Sequence, residues 1–245
     1  MIEYAIVTGV ASGIGECIAN DFVKRGIVVF GIDVNEPKNG LIKYFKCDIR
    51  DEERIIEVMS EIKKITDRID YLINVAGIFC DATRNYIENL SKEEWQTVID
   101  VNLTGTFLIS KYTIPFLKKS SNGNIISLST EQVKLPQEKG APYAVTKAGL
   151  EMFSKILALE LMNSKIRVNV IELASVRTNF LKRYKKDDNL INEMMKKTNK
   201  DMPYGIIEPE DVLKMVNFLI YDGCKITGQS ILIDSGVVLN INKRK

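Results

Sequence analysis

Histidine is absent from all 245 residues. That excludes Ser-His-Asp and Cys-His hydrolases, His-ligated zinc sites and imidazole acid/base catalysis. An enzyme made from this chain and working near neutral pH must move protons with tyrosine, lysine, cysteine or a carboxylate. Cysteine is scarce: Cys17, Cys47, Cys80 and Cys224 form no C-x-x-C pair. Reduced thiols are expected rather than a disulfide framework. No apolar run approaches the roughly 20 residues that span a bilayer. Strand-like residues begin almost at Met1, which leaves no space for a targeting peptide, so the expected compartment is cytoplasmic. Charge imbalance is missing too. A net charge of +2 gives no reason to expect nucleic acid or an anionic membrane as partner.

What is present is an ordinary globular composition, 45% hydrophobic and 27% charged, in a length that one α/β domain over 1–245 can use fully. Apolar runs and amphipathic stretches alternate. Strands are expected at 2–7, 27–32, 44–46, 70–75, 124–129, 166–172 and 230–233. Helices are expected at 16–24, 51–65, 143–161 and 210–221, with one long helix from Ser91 through Trp95 towards Phe116, opened by the capping box Ser91-Lys92-Glu93-Glu94. Strands joined by crossover helices predict a doubly wound, Rossmann-type parallel sheet of seven strands, covered on both faces. Ligands in such sheets sit at the carboxyl ends of the strands. Asp33, Asp48, Asn74, Gly77, Ser129 and Thr130 all fall there.

Thr8-Gly9-Val10-Ala11-Ser12-Gly13-Ile14-Gly15 lies between the first strand and the first helix. Glycines at such a turn allow positive φ and close ligand approach, and the helix beyond offers free N–H groups to a pyrophosphate. A tight turn without a ligand is the alternative. The second strand ends on Asp33, roughly 20 residues further on, where an NAD site binds the adenosine ribose and the carboxylate repels an NADP phosphate. Tyr143-Ala144-Val145-Thr146-Lys147 places a phenol and an ammonium on one helix face. The ammonium favours the phenolate and brings tyrosine towards the range useful for general acid/base work. A second Tyr-x-x-x-Lys, Tyr221 to Lys225, crosses Gly223 at a helix end, where the side chains need not meet.

Taken together, T-G-V-A-S-G-I-G (8–15), Asn74-Val75-Ala76-Gly77, Asn102 in D-V-N-L-T-G, Tyr143 with Lys147, Thr178 and I-T-G-Q-S-I-L-I-D-S-G (226–236) resemble the short-chain dehydrogenase/reductase superfamily over nearly the whole chain. The resemblance implies Tyr143 as proton donor and acceptor, Lys147 on the nicotinamide ribose, and Asn102 in a proton relay behind it. It implies a hydroxyl of Thr130 or Ser129 orienting the substrate oxygen. The cofactor would rest against Gly9, Ser12, Gly13, Ile14, Gly15, Asp33, Asp48, Ile49, Asn74, Ala76, Gly77, Tyr143, Lys147, Val176 and Thr178, with Asp48 and Ile49 at adenine and Thr178 at the carboxamide. No metal is implied. A homotetramer is implied, with the 95–116 and 143–161 helices packing across a two-fold.

Three positions depart from the family pattern. Thr130 stands where serine is usual, and its methyl group stiffens χ1. Leu173-Ala174 replaces Pro-Gly after strand six, which removes easy access to positive φ. The 34–43 segment is too short for a crossover helix. Beyond strand six, a lid over about 178–205 carries Phe180, Leu181, Leu190, Ile191, Met194 and Met195, with Lys182, Arg183, Lys185 and Lys186 as a solvated basic face. The expected activity is NAD-linked hydride transfer with a secondary alcohol or carbonyl, a sugar or polyol first. The alternatives are an NADPH-dependent 3-oxoacyl-thioester reductase and an NAD-binding scaffold with little turnover.

Overall fold

In the computed structural model, residues 2–79, 85–178 and 200–240 are described. Seven parallel strands form one sheet in the order β3-β2-β1-β4-β5-β6-β7. They are β1 (Tyr4–Thr8), β2 (Val28–Asp33), β3 (Lys43–Lys46), β4 (Tyr71–Asn74), β5 (Asn124–Thr130), β6 (Arg167–Leu173) and β7 (Ser230–Ile233). The helices are α1 (Gly13–Lys24), α2 (Glu52–Lys63), α3 (Lys92–Ile99), α4 (Thr106–Leu117), α5 (Ala141–Glu160) and α6 (Pro209–Asn217). The strand order reverses between β1 and β4, which opens a crevice at their carboxyl ends.

Side-chain alternation divides the core in two. Ala5 and Val7 face a cluster with Ile18 and Phe22 of α1 and Val212 and Val216 of α6. Ile6, between them, faces a cluster with Ile55, Val58, Met59 and Ile62 of α2, Ile109 of α4 and Leu157 of α5. Helices therefore cover both faces of the sheet. Full burial of each such aliphatic side chain contributes roughly 1.5–3 kcal/mol.

The long helix expected from Ser91 to Phe116 is a correction. Its capping box forms, with the Glu94 amide donating to Ser91 Oγ at 3.1 Å and the Ser91 amide to Glu94 Oε2 at 2.9 Å. The helix is then interrupted by a π turn, Asp100–Gly105, between α3 and α4. A Cβ on Gly105 would come 2.6 Å from Ile49 Cγ1, so this turn lies close against the 48–49 segment. The helix expected over 210–221 also ends in a π turn, Phe218–Asp222, where the Gly223 amide reaches the Phe218 carbonyl at 2.6 Å. Apolar periodicity cannot register one extra residue in a turn. The expected start of α1 at Glu16 moves back to Gly13.

The 34–42 crossover is irregular, as its length requires, and is held by Asn39 Nδ2 donating to Asn20 Oδ1 at 2.8 Å. Leu173 and Ala174 need no positive φ. Leu173 completes β6, and the Ala174 amide continues the ladder to the Ile233 carbonyl at 3.1 Å. Lid residues 179–199 lie outside the described residues. No helix among the described residues is long and apolar enough to cross a membrane.

Candidate active site

The first turn is shaped by contact as much as by conformation. Gly9 has φ +74° and Gly13 φ +61°, values that L side chains rarely adopt. A Cβ on Gly15 would lie 2.1 Å from the Gly9 carbonyl oxygen, and one on Gly13 would lie 3.2 Å from the Thr178 methyl. The turn is thus compact, with Thr178 beside it. Ser12 is the extended N-cap residue of α1, and Ile14 packs against the core. Thr8 Oγ1 accepts from the amides of Val75 and Ala76, both at 3.0 Å, fastening the end of β1 to the loop after β4. Sequence reading gave Thr8 no role; its signal was the threonine that opens the glycine motif.

Asp33 is buried at the end of β2. Its carboxylate accepts from the Ala11 amide at 3.0 Å and the Asn35 amide at 2.9 Å. A carboxylate has about four acceptor positions, so capacity for ribose hydroxyls remains. Asp48 is held by Arg50, which keeps its carboxyl below the usual range through hydrogen bonding. Neighbouring Ile49 is buried against the π turn. Asn74 is buried, with Nδ2 donating to Ser127 Oγ at 3.2 Å. Val176 makes a parallel bridge with Ile207.

Four predicted residues meet across the crevice. Lys147 and Tyr143 share one face of α5, with the ammonium 5.7 Å from the phenol ring centroid. Phe79 packs edge-on to the Tyr143 ring at 4.9 Å. Lys147 Nζ is buried and donates to the Leu128 carbonyl at 2.9 Å. Burial lowers its pKa to about 8. Gly77 brings the groups together, because a Cβ there would lie 3.2 Å from Asn102 Oδ1 and 3.6 Å from Lys147 Nζ.

Asn102 sits within the π turn and is fully buried. Its Oδ1 accepts from the Ile78 amide at 2.8 Å, and its Nδ2 donates to the Ile78 carbonyl at 2.9 Å and to Thr146 Oγ1 at 3.3 Å. Thr146 in turn donates to the Tyr143 carbonyl at 2.7 Å. One carboxamide therefore links the 77–79 loop to the helix that carries Tyr143.

Ser129 and Thr130 end β5 and separate there. Ser129 Oγ donates to Glu151 Oε1 at 2.6 Å, on the α5 side. Thr130 Oγ1 donates to Glu131 Oε2 at 2.8 Å. Burial raises the Glu151 pKa. Glu172, fully buried on β6 beside Ser129 in register, pairs with Lys134. Sequence reading missed this acidic set. A glutamate inside the apolar run 166–172 was the available signal. The competing Tyr221 is packing: its ring lies edge-on to Tyr71 at 6.4 Å, with the Arg25 guanidinium 5.5 Å above it.

The glycine turn, which extra Cβ atoms would fill, suits a pyrophosphate, and Asp33, Gly77 and Lys147 lie along one edge from it. These residues fit a nicotinamide dinucleotide. Comparison with known proteins agrees. A family model described as enoyl-(acyl carrier protein) reductase matches residues 9–238. The chain is similar to 2,3-dihydro-2,3-dihydroxybenzoate dehydrogenase of Bacillus subtilis, with 29% identity over 98% of this chain and 97% of the relative. It is similar to NAD-dependent glycerol dehydrogenase of Listeria innocua, with 30% identity over 97% and 94%. It is likewise similar to 3-oxoacyl-[acyl-carrier-protein] reductase of Thermotoga maritima, with 30% identity over 97% and 98%. Among solved structures, ligand-free aldohexose dehydrogenase of Thermoplasma acidophilum matches with a TM-score of 0.89 at 27% identity, covering 97% of this chain and 94% of that one. The chain belongs to the short-chain dehydrogenase/reductase superfamily and is an NAD(P)-dependent oxidoreductase acting on alcohol or carbonyl groups.

Proposed function

We propose that this protein is an NAD-linked dehydrogenase of a sugar, polyol or related secondary alcohol, with Tyr143 as general acid/base. The observation that carries the reading is the buried Lys147 ammonium beside the Tyr143 ring and against Gly77. A bound dinucleotide supplies the hydride acceptor or donor. The glycine turn holds its pyrophosphate on the α1 N-terminus. Asp33 binds the adenosine ribose and disfavours a 2′-phosphate, which selects NAD. Lys147 binds the second ribose, with its ammonium 5.7 Å from the phenol ring centroid. In the oxidative direction Tyr143 takes the substrate's O–H proton; in reduction it returns one. Asn102 is a positioning residue, since it ties the loop beneath the ring to the helix that bears Tyr143.

The polyol preference draws on the glycerol and aldohexose dehydrogenases among the similar proteins. A second reading, an NADPH-dependent 3-oxoacyl-thioester reductase, is favoured by the Thermotoga relative and opposed by Asp33. Steady-state reduction of NAD and NADP against sugars, polyols, hydroxy acids and steroids separates the two, with NADPH-dependent acetoacetyl-thioester reduction as the opposing assay. Activity confined to NADPH and thioesters would reverse the order.

We also infer a homotetramer. Val145, Met152, Ile156 and Leu159 form an exposed apolar stripe along α5, and Phe107 on α4 lies beside it. A stripe at helical spacing, edged by a matching helix, is what a second copy of the same helices would cover.

A further inference from the structure

Thr146 is buried on α5, three residues after Tyr143 and on the same face of the helix, and no step of the proton transfer uses its hydroxyl. That hydroxyl carries one hydrogen, which goes to the Tyr143 carbonyl at 2.7 Å. A carbonyl only accepts, so the hydrogen is committed and Thr146 Oγ1 meets Asn102 as an acceptor, 3.3 Å from Nδ2. The rest of the Asn102 carboxamide is fixed by backbone. Its Oδ1 takes the Ile78 amide at 2.8 Å, and Nδ2 gives its other hydrogen to the Ile78 carbonyl at 2.9 Å. Both amide hydrogens are therefore used. From the Ile78 N–H, through the carboxamide and the Thr146 hydroxyl, to the Tyr143 carbonyl, every donor points the same way. Hydrogen bonds aligned in this sense polarise and strengthen one another.

On this face α5 meets the π turn at two points. A Cβ on Gly149 would lie 3.2 Å from Leu103 Cδ2, so helix and turn pack closely there. Apolar contact of this kind sets the spacing of two elements but not their register, because it has no direction. The Thr146–Asn102 hydrogen bond does have one, and it lies three residues nearer to Tyr143. We propose that Thr146 is a positioning residue for the reaction. Acting through Asn102, it fixes the register of α5 on the π turn and so holds the Tyr143 ring against Phe79 and the 77–79 loop. The proposal rests on the assignment of Tyr143 as acid/base.

Two substitutions separate the hydroxyl from the packing. Thr146→Val keeps the β-branched shape and removes the acceptor. One Asn102 N–H is then left without its partner in a place closed to solvent, since Asn102 and Thr146 are both 0% exposed. The carboxamide turns away to find another acceptor, and its hold on Ile78 loosens. Thr146→Ser gives up only the methyl group and keeps the link. A displacement of about 1 Å at a group that must meet substrate costs on the order of 100-fold in rate.

The link is read first without turnover. The Ile78 amide donates to Asn102 Oδ1, so its hydrogen exchange, followed by NMR on the full chain labelled at isoleucine, reports how firmly the carboxamide is held. Thr146→Val is expected to speed that exchange at least about tenfold and Thr146→Ser to leave it within about threefold. The Ile55 and Ile62 amides of α2 should not change in either variant. Oxidation with NAD of the best substrate in the sugar and polyol panel should then show kcat lowered by about 10- to 100-fold in Thr146→Val. KM for NAD should stay within about threefold, and Thr146→Ser should recover kcat. Unchanged exchange at Ile78 in Thr146→Val, faster exchange spread equally through α2, or a wild-type kcat in that variant would each overturn the positioning role and leave the dehydrogenase standing. A wild type that binds NADH and turns over nothing in the panel would overturn both.

Discussion

The Lys147 ammonium lies 5.7 Å from the Tyr143 ring centroid and donates to the Leu128 carbonyl at 2.9 Å. An ammonium carries three donors, so this contact leaves others for a ribose. Tyr143→Phe removes only the phenolic oxygen. Turnover should fall by about 100-fold or more, as for loss of a general acid/base. The Kd for NADH, read by fluorescence titration, should stay within a few-fold. A variant that retains turnover would show that another group moves the proton.

Burial has a pH signature at Lys147. Its folded pKa, about 8, lies below the ordinary 10.5. Between those values the unfolded chain holds a proton that the folded chain has released, so stability rises with pH across the window. The increment is roughly 3 kcal/mol, order of magnitude only. Subtracting the urea stability of Lys147→Met from that of the wild type at several pH values isolates it. The difference should grow in favour of the wild type from pH 8 towards pH 10. A flat difference would mean that the ammonium is solvated in the folded protein.

Asp33 is expected to set the choice of dinucleotide. Asp33→Asn loses the charge and keeps an acceptor for only one of the two amides, since the Ala11 and Asn35 amides donate to different oxygens of the carboxylate. The ratio of Kd for NADPH to Kd for NADH should fall by about 10- to 100-fold, equivalent to about 1.4–2.7 kcal/mol. An unchanged ratio would place the 2′ position away from this carboxylate.

Gly15→Ala tests the turn by sterics. The new methyl would sit 2.1 Å from the Gly9 carbonyl oxygen, so the turn or α1 must shift. Destabilisation of about 1–3 kcal/mol is expected, with dinucleotide affinity lost by at least tenfold. Native affinity in this variant would mean that the turn does not carry the phosphates.

The exposed α5 stripe predicts assembly. Met152→Glu with Ile156→Lys should convert the oligomer to smaller species by light scattering after size exclusion, since charges would replace the covered apolar surface. A wild-type chain that runs as a monomer at micromolar concentration would contradict the tetramer directly.

Sequence reading reached far at one edge of this sheet because local rules act there. The glycines at 9 and 13 take positive φ, a Cβ on Gly15 would meet the Gly9 carbonyl oxygen at 2.1 Å, and alternation of apolar runs with amphipathic helices specifies parallel strands. The apolar face chosen for α2, at Ile55, Val58, Met59 and Ile62, is the buried face. The π turn at Asp100–Gly105 could not be read in the same way. It depends on Asn102 reaching the Ile78 backbone, 24 positions away in the chain.

By itself the sequence determined the fold class, the crevice edge and the absence of imidazole chemistry, because periodicity, glycine spacing and composition are local properties. Only the tertiary structure decided which polar groups are committed to one another. It sent Ser129 to Glu151 and Thr130 to Glu131, although the two hydroxyls are adjacent in the chain. Successive residues of a strand face opposite sides of the sheet, and what waits on each side comes from distant parts of the chain.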